Sequence, residues 1–408
     1  MAAIPTDSAD SGPADWTRRT LAIVALCFAI NMADGVDVTI LSFIAPRIQA
    51  DWGIGPEVMG RLFSAGLLGM ALGGMFIAPL ADRIGRRKVI LTALVLMSAG
   101  MIASGWVATP GQFFALRVLV GMGIGTVLAA MAALAAESAP ARHRNLAVGL
   151  VQAGYPFAAV FTGLTVAQLL PVHGWHVLLL GAGAITVLLF PLAWLLLSDR
   201  VPEADGAVPG NGGVATLFAP PLRARTIALW GAVFFGLMVL YFIVSWITKL
   251  SIQAGLSEAN GIYAGTLYNL GAFTGTVAMS VLAVRLPLGK LVPAMLTGAA
   301  LAMLWFGSVP MGVAATMATA FLIGVLLQGG YNGVWPLAAG TYPAQVRATG
   351  VGWAIGVGRA GAIVGPWMGG QLMAAKVSLS ALFGAYCLPL LACAACAFAV
   401  QRLRDAVE

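Results

Sequence analysis

Charge is scarce in this chain. Only 9% of its 408 residues are Asp, Glu, Lys or Arg, while 60% are hydrophobic, and the mean hydropathy is +0.93. A soluble domain carries about a quarter of its residues as charges, so an aqueous globular fold is excluded. Histidine is rarer still: His143, His173 and His176 fall in loops or at the ends of apolar runs, leaving no buried imidazole for a metal site or a Ser–His pair. No G-x-x-x-x-G-K-[ST] phosphate loop occurs, which argues against ATP-driven work by this chain alone. The four cysteines, Cys27, Cys387, Cys393 and Cys396, lie in apolar runs as small packing residues do. Cys393 and Cys396 form a C-x-x-C, but without a second pair or a nearby histidine it does not make a metal site. No metal or other cofactor is expected. Period-two alternation is also missing, which excludes a membrane β-barrel.

What fills the chain instead is apolar runs of bilayer length, about 20 residues each. Twelve are expected, near 21–45, 57–81, 89–108, 112–137, 145–170, 176–198, 226–248, 257–284, 289–307, 311–335, 345–374 and 379–401. The fold class is an all-α membrane protein of two six-helix bundles. Residues 1–20 are a polar tail, 21–198 the first bundle, 199–225 a Gly- and Pro-rich linker, 226–401 the second bundle and 402–408 a closing tail. The first run is too long for the core of a cleaved signal peptide and is expected to be a span. Of the 22 Lys and Arg, sixteen fall in one set of loops and tails and four in the other. By the positive-inside rule both termini are cytoplasmic. The net charge of +7 thus reports topology and gives no sign of a nucleic-acid partner.

The two halves echo one another. "SAPARHRNLAVG" (Ser138 to Gly149) and "TYPAQVRATGVG" (Thr341 to Gly352) match at Pro140/Pro343, Ala141/Ala344, Arg144/Arg347 and Gly149/Gly352, always 203 residues apart and always between the fourth and fifth span of a half. Parallel six-span repeats are the architecture of rocker-switch transporters, whose substrate site lies at midplane between the halves. Glycines spaced by four, Gly69 and Gly73 in span 2 and Gly361, Gly365 and Gly369 in span 11, imply close helix contacts. They serve either as sliding surfaces between the halves or as static packing.

Few ionisable groups lie inside the spans. "NMADGVDVTI" places Asp34 and Asp37 near the middle of the first run, on one helix face about 60° apart. Each carboxylate at that depth costs about 2.5–3.5 kcal/mol. Such a group either pairs structurally with a buried arginine or exchanges a proton as its surroundings open and close. Arg359, in "GVGRAGAIVGP", keeps its charge and must be offset by an anion, from the protein or from a substrate carboxylate that fits its planar fork. Arg117 either modulates Asp34 or Asp37 or snorkels to a span end. Glu137, at the close of span 4, is expected to clamp nearby loop arginines. Uncharged polar groups inside spans need partners that a ligand can supply, which makes Tyr155, Tyr268, Asn269, Gln328, Tyr331 and Asn332 pocket candidates. Tyr241, Trp246, Trp335 and Trp353 are read mainly as anchors or packing.

At "APLADRIGRRK" (Ala78 to Lys88), "RVLVGMGIG" (Arg117 to Gly125) and the central linker, the chain resembles the major facilitator superfamily over nearly its whole length. The resemblance implies that Asp82, Arg83, Gly85 and Arg86 form a cytoplasmic gate latch. Within that superfamily, "DGVD" and "YPAQVRATGVGWAIGVGRAGAIVGP" (Tyr342 to Pro366) look like the bacterial aromatic acid:proton symporter family. That likeness implies proton coupling at Asp34 and Asp37, with Arg347 and Arg359 as the basic residues of span 11. It implies a small aromatic carboxylate, of benzoate, hydroxybenzoate or hydroxyphenylpropionate type, as cargo, and an inner-membrane carrier working as a monomer. The runners-up are a proton-driven exporter and, less strongly, a membrane-embedded receptor or enzyme. Span 5 reads "GYPFAAVFTG", and the G-P-x-x-G-G string of antiporters stands instead in span 11, at Gly365 to Gly370, which favours import.

Overall fold

The computed structural model describes residues 16–140, 143–197, 214–220 and 222–405, all of them helix or short connection. The first helix, α1 (Arg18–Trp52), starts at a capping box in which the Thr17 side chain accepts from the Thr20 amide at 3.1 Å, satisfying an orphan N–H of the first turn. It runs through Pro46 and stops at Gly53, whose left-handed φ of 61° caps it. The sequence reading closed this span near Ala45. The helix in fact continues about two turns further, as a water-side extension carrying the Arg47–Asp51 pair at 3.7 Å.

Next come α2 (Pro56–Leu72, helical on to Leu80), α3 (Arg86–Ser104) and α4 (Pro110–Ser138). Arg144–Gln152 and Gly154–Leu196 follow as almost continuous helix, broken at Gly174, where φ is 71°; residues 144–173 are α5 and 174–196 are α6. The second half holds α7 (Arg223–Gln253), α8 (Glu258–Leu282), α9 (Leu288–Ser308), α10 (Val313–Asn332, continued by Val334–Thr341), α11 (Ala344–Ala374) and α12 (Leu379–Asp405). Among the described residues nine helical stretches are long and apolar enough to cross a bilayer by themselves, and one of these is the broken α5–α6 pair. α8 and α11 have the length, at 25 and 31 residues, but their Gly, Asn, Gln and Arg content lowers their hydropathy. Together these make the twelve expected spans. The outer surface is apolar, with Leu195, Val284 and Leu388 each more than 70% exposed, as hydrocarbon surroundings require.

The glycines settle how the helices meet. A β-carbon on Gly69 or Gly73 would strike the Val118 or Met122 carbonyl of α4, and one on Gly121 or Gly125 would strike Gly66 or Met70 of α2. Gly361 and Gly365 stand in the same relation to Phe234 and Met238 of α7. Both glycine rows therefore pack helices within a half, so their role is static packing. A different set lies between the halves: Gly60 of α2 meets Pro366 and Gly370 of α11, and Gly163 of α5 meets Thr266 of α8. Gly163 and Pro366 are themselves 203 positions apart, so these two seams are repeat-equivalents. A third contact, from Ser42 Oγ of α1 to the Ser245 carbonyl of α7 at 2.9 Å, joins residues separated by 203 positions. All three contacts lie towards the end of the bundle opposite the termini.

Overpacking a close-packed seam costs about 1–3 kcal/mol. Gly125→Val is expected to lower the thermal midpoint in detergent by several degrees, whereas Gly384→Ala, where an added β-carbon meets nothing, leaves it in place. Equal losses at the two positions would remove the packing role assigned to Gly125.

Candidate substrate and proton site

The D-G-V-D string works because of its glycine. A β-carbon at Gly35 would collide with the Tyr155 carbonyl and Cα on α5, so only glycine lets α1 seat there. That seating brings Asp34 to Tyr155, with which it interacts electrostatically. Asp34 and Asp37 are 3% and 2% exposed. Among the described residues no ion pair reaches either of them, Asp34 Oδ1 has no hydrogen-bond partner, and neither oxygen of Asp37 has one. Buried carboxylates in native structures are ordinarily paired or hydrogen-bonded. Two that are not, in adjacent turns of a bilayer-spanning helix, are groups suited to gain and lose a proton.

Their surroundings differ. Asp34 feels Arg359, which comes from α11 of the other half. The Arg359 guanidinium also reaches Met70 of α2, Nη1 to Sδ at 4.0 Å, and the Tyr241 hydroxyl of α7 feels its charge. Tyr331 of α10 feels both Tyr241 and Arg359, and Tyr155 feels Tyr241 and Tyr268. Arg359, Tyr155 and Tyr241 are only partly buried although they lie mid-helix, so they border a space inside the protein. The Tyr268 and Tyr331 hydroxyls are buried without partners. One cation, one acid and four phenols from both halves thus converge.

Asp37 lines a small cavity with Phe63, Met70, Arg117, Tyr241 and Ser245. Arg117 is 3% exposed. Its Nη2 reaches Met101 Sδ and, at 3.4 Å, Ser104 Oγ, while its guanidinium lies 5.0 Å from the centre of the Phe113 ring. It does not snorkel. It is held inside the first half as the electrostatic partner of Asp37. Tyr241 borders both environments.

Other candidates are engaged elsewhere. The Asn269 amide donates to the Gly265 carbonyl of its own helix at 2.9 Å. Gln328 Nε2 donates to Asn332 Oδ1 at 3.2 Å, and Asn332 Nδ2 to Thr276 Oγ1 at 2.8 Å, which ties α10 to α8. Arg347 is exposed near the start of α11 and donates to the Tyr342 carbonyl at 3.3 Å. Gly85 links the short helix Ala81–Ile84 to α3 with φ 95° and ψ 143°, a backbone that only glycine adopts without strain. Arg86 follows it, half-buried at the start of α3. The side chains of Asp82, Arg83 and Glu137 lie outside the described residues. Tyr241 was absent from the site read in the sequence; its signal was a hydroxyl-bearing ring in the middle of an otherwise apolar span.

The fold and site define a polytopic membrane carrier, with two repeat-related helix bundles around a buried charged centre. The chain belongs to the major facilitator superfamily, whose family model matches residues 26–366. It is 32% identical over 401 residues to the 4-hydroxybenzoate transporter PcaK of Pseudomonas aeruginosa, covering 90% of this chain and 89% of that one. It is 30% identical over 402 residues to the gallate transporter of Pseudomonas putida, covering 91% and 90%. The likeness to the aromatic acid:proton symporter family seen in the motifs is borne out by these relatives. Among solved structures it is similar to the inward open conformation of the xylose transporter XylE from E. coli, with a TM-score of 0.76 at 15% identity over 92% of this chain and 94% of that one; at that identity the likeness concerns the fold. The protein is a transporter and not an enzyme.

Proposed function

We propose that the chain is a proton-coupled symporter that carries small aromatic carboxylates into a bacterial cell across the inner membrane, with both termini in the cytoplasm. The observation that carries this reading is the centre itself. Asp34 and Arg359 stand on opposite halves, close enough to interact and yet not ion-paired, amid partly open tyrosines. An arginine fork suits a carboxylate bidentately, and aromatic walls suit a ring. The relatives' names, which specify gallate and 4-hydroxybenzoate, support a hydroxylated benzoate as cargo.

With the termini cytoplasmic, the three contacts between the halves described above lie at the periplasmic end, which supports an inward-facing state. In the cycle we envisage, the outward-facing carrier takes a proton on Asp37 and the carboxylate on Arg359. Neutralisation of these two charges lets the bundles, 21–198 and 226–401, close and rock about the linker 199–225. Cargo and proton then leave to the cytoplasm. Asp82, Arg83, Gly85, Arg86, Glu137 and Arg347 are assigned to the cytoplasmic gate, and Tyr155, Tyr241, Tyr268 and Tyr331 to the cargo site. Asn269, Gln328 and Asn332 shape the cargo wall through the bonds they make within the second half.

The test is uptake into proteoliposomes of the purified chain. Labelled 4-hydroxybenzoate or gallate is expected to accumulate above its outside concentration when the lumen is alkaline, and the accumulation is expected to collapse with a protonophore. Accumulation that instead needs an acidic lumen would make the chain an exporter, and a lack of accumulation of any benzoate-type acid would overturn the substrate class.

A further inference from the structure

A second binding feature lies away from the cargo site, at the end of the bundle where the halves touch. A groove between α2, α4 and α11 opens to the outer surface, lined by Arg61, Leu68, Phe114, Ile363, Val364 and Trp367. Arg61 is exposed about 8 Å inside the start of α2, by the rise of 1.5 Å per residue, near enough to the helix end for a cationic side chain to meet lipid headgroups. Among the described residues it makes no hydrogen bond, ion pair or ring contact. Glu57, one turn earlier, does not pair with it; its carboxylate lies against Gly55. The remaining polar group of the lining, Ser64 Oγ, is taken up by the Ile363 carbonyl at 2.7 Å. The groove therefore offers one uncommitted cation above an apolar trough. That pattern is complementary to a phosphate above a hydrocarbon chain, and the bilayer around the chain supplies that chemistry.

The walls matter as much as the charge. α2 and α4 belong to the first half and α11 to the second, and α2 and α11 are held together here by the Gly60–Gly370 approach and the Ser64–Ile363 bond. Parting the halves at this end removes one wall. A ligand of this groove binds one state and not the other, and so shifts the equilibrium between them.

We infer that this groove binds one phospholipid of the adjacent leaflet, with its phosphate on Arg61 and an acyl chain along Leu68, Phe114, Val364 and Trp367, and that the bound lipid favours the state closed at this end. The inference is independent of which cargo is carried. In native mass spectrometry of the delipidated full chain titrated with dioleoylphosphatidylglycerol, Arg61→Gln is expected to weaken the tightest lipid site by about tenfold or more, the worth of one charge-assisted contact. Leu68→Trp, which fills the trough without touching the charge, is expected to do the same. In a Cys396→Ser background, the other three cysteines being buried, spin labels at His173 and Ala259 report the opposite seam at the same end. Added lipid is expected to narrow their distance distribution in the parent and to leave it unchanged in both variants.

Unchanged lipid affinity in Arg61→Gln would overturn the phosphate assignment, as would equal binding of a digalactosyl lipid with the same chains. Displacement of the lipid by inorganic phosphate would make the site a free-anion site and overturn the lipid. An unaltered label distance in the parent would overturn the coupling to conformation.

Discussion

Arg359→Ala abolishes measurable binding of aromatic carboxylates while leaving the protein folded and extractable. Only Arg117 and Arg359 place a guanidinium mid-bundle among the described residues, and Arg117 is enclosed by Met101, Ser104 and Phe113 inside the first half. Arg359 is partly open, touches Met70 across the halves and has no ion pair. Two charge-assisted bonds to a carboxylate contribute about 1.5–3 kcal/mol each, so their loss weakens binding by about 100-fold or more. Arg359→Lys keeps the charge but loses the fork, and an intermediate loss is expected. Calorimetric titration of the purified variants with 4-hydroxybenzoate checks both. Equal affinities in parent and Arg359→Ala would take this residue out of the site.

Asp37→Asn separates binding from coupling. One proton carried per cargo molecule lets a pH gradient sustain about a tenfold accumulation per pH unit. Without a protonatable group at position 37, accumulation is expected to fall to the concentration outside, while exchange of labelled for unlabelled cargo continues. Asp37 is the better choice for this separation because it faces Arg117 and the small cavity beneath Tyr241. Asp34 faces Arg359 and the tyrosines, so Asp34→Asn is expected to change cargo affinity as well as coupling. If Asp37→Asn retains uphill uptake driven by the pH gradient, the proton resides elsewhere.

Much of the architecture was legible before any coordinates, because a bilayer demands long apolar runs whatever the packing. The 203-residue offset read from one loop motif returns in space as the Ser42–Ser245 contact between the first helices of the two halves. The charged residues were legible too, since few ionisable groups besides Asp34, Asp37, Arg117 and Arg359 lie inside the spans. What the sequence withheld was helix rotation. In a membrane both the lipid face and the packed face of a helix are apolar, so the pattern that orients a soluble amphipathic helix is weak. Asn269 and Asn332 therefore looked as available as Tyr155, although their amides are spent on Gly265 and Thr276. For the same reason Tyr241 could not be told from a packing ring. The glycine rows were visible, but their partners were not: only the contacts show that Gly69 and Gly361 join helices within a half, whereas Gly60 and Gly163 meet the other half.

The missing side chain at position 35 ties two jobs to a single turn. With no β-carbon between helix and helix, α1 and α5 touch backbone to backbone beside the acids, and they must travel as one body whenever the bundles tilt. An alanine there would leave both carboxylates in the sequence and lift them off the wall against which they are read.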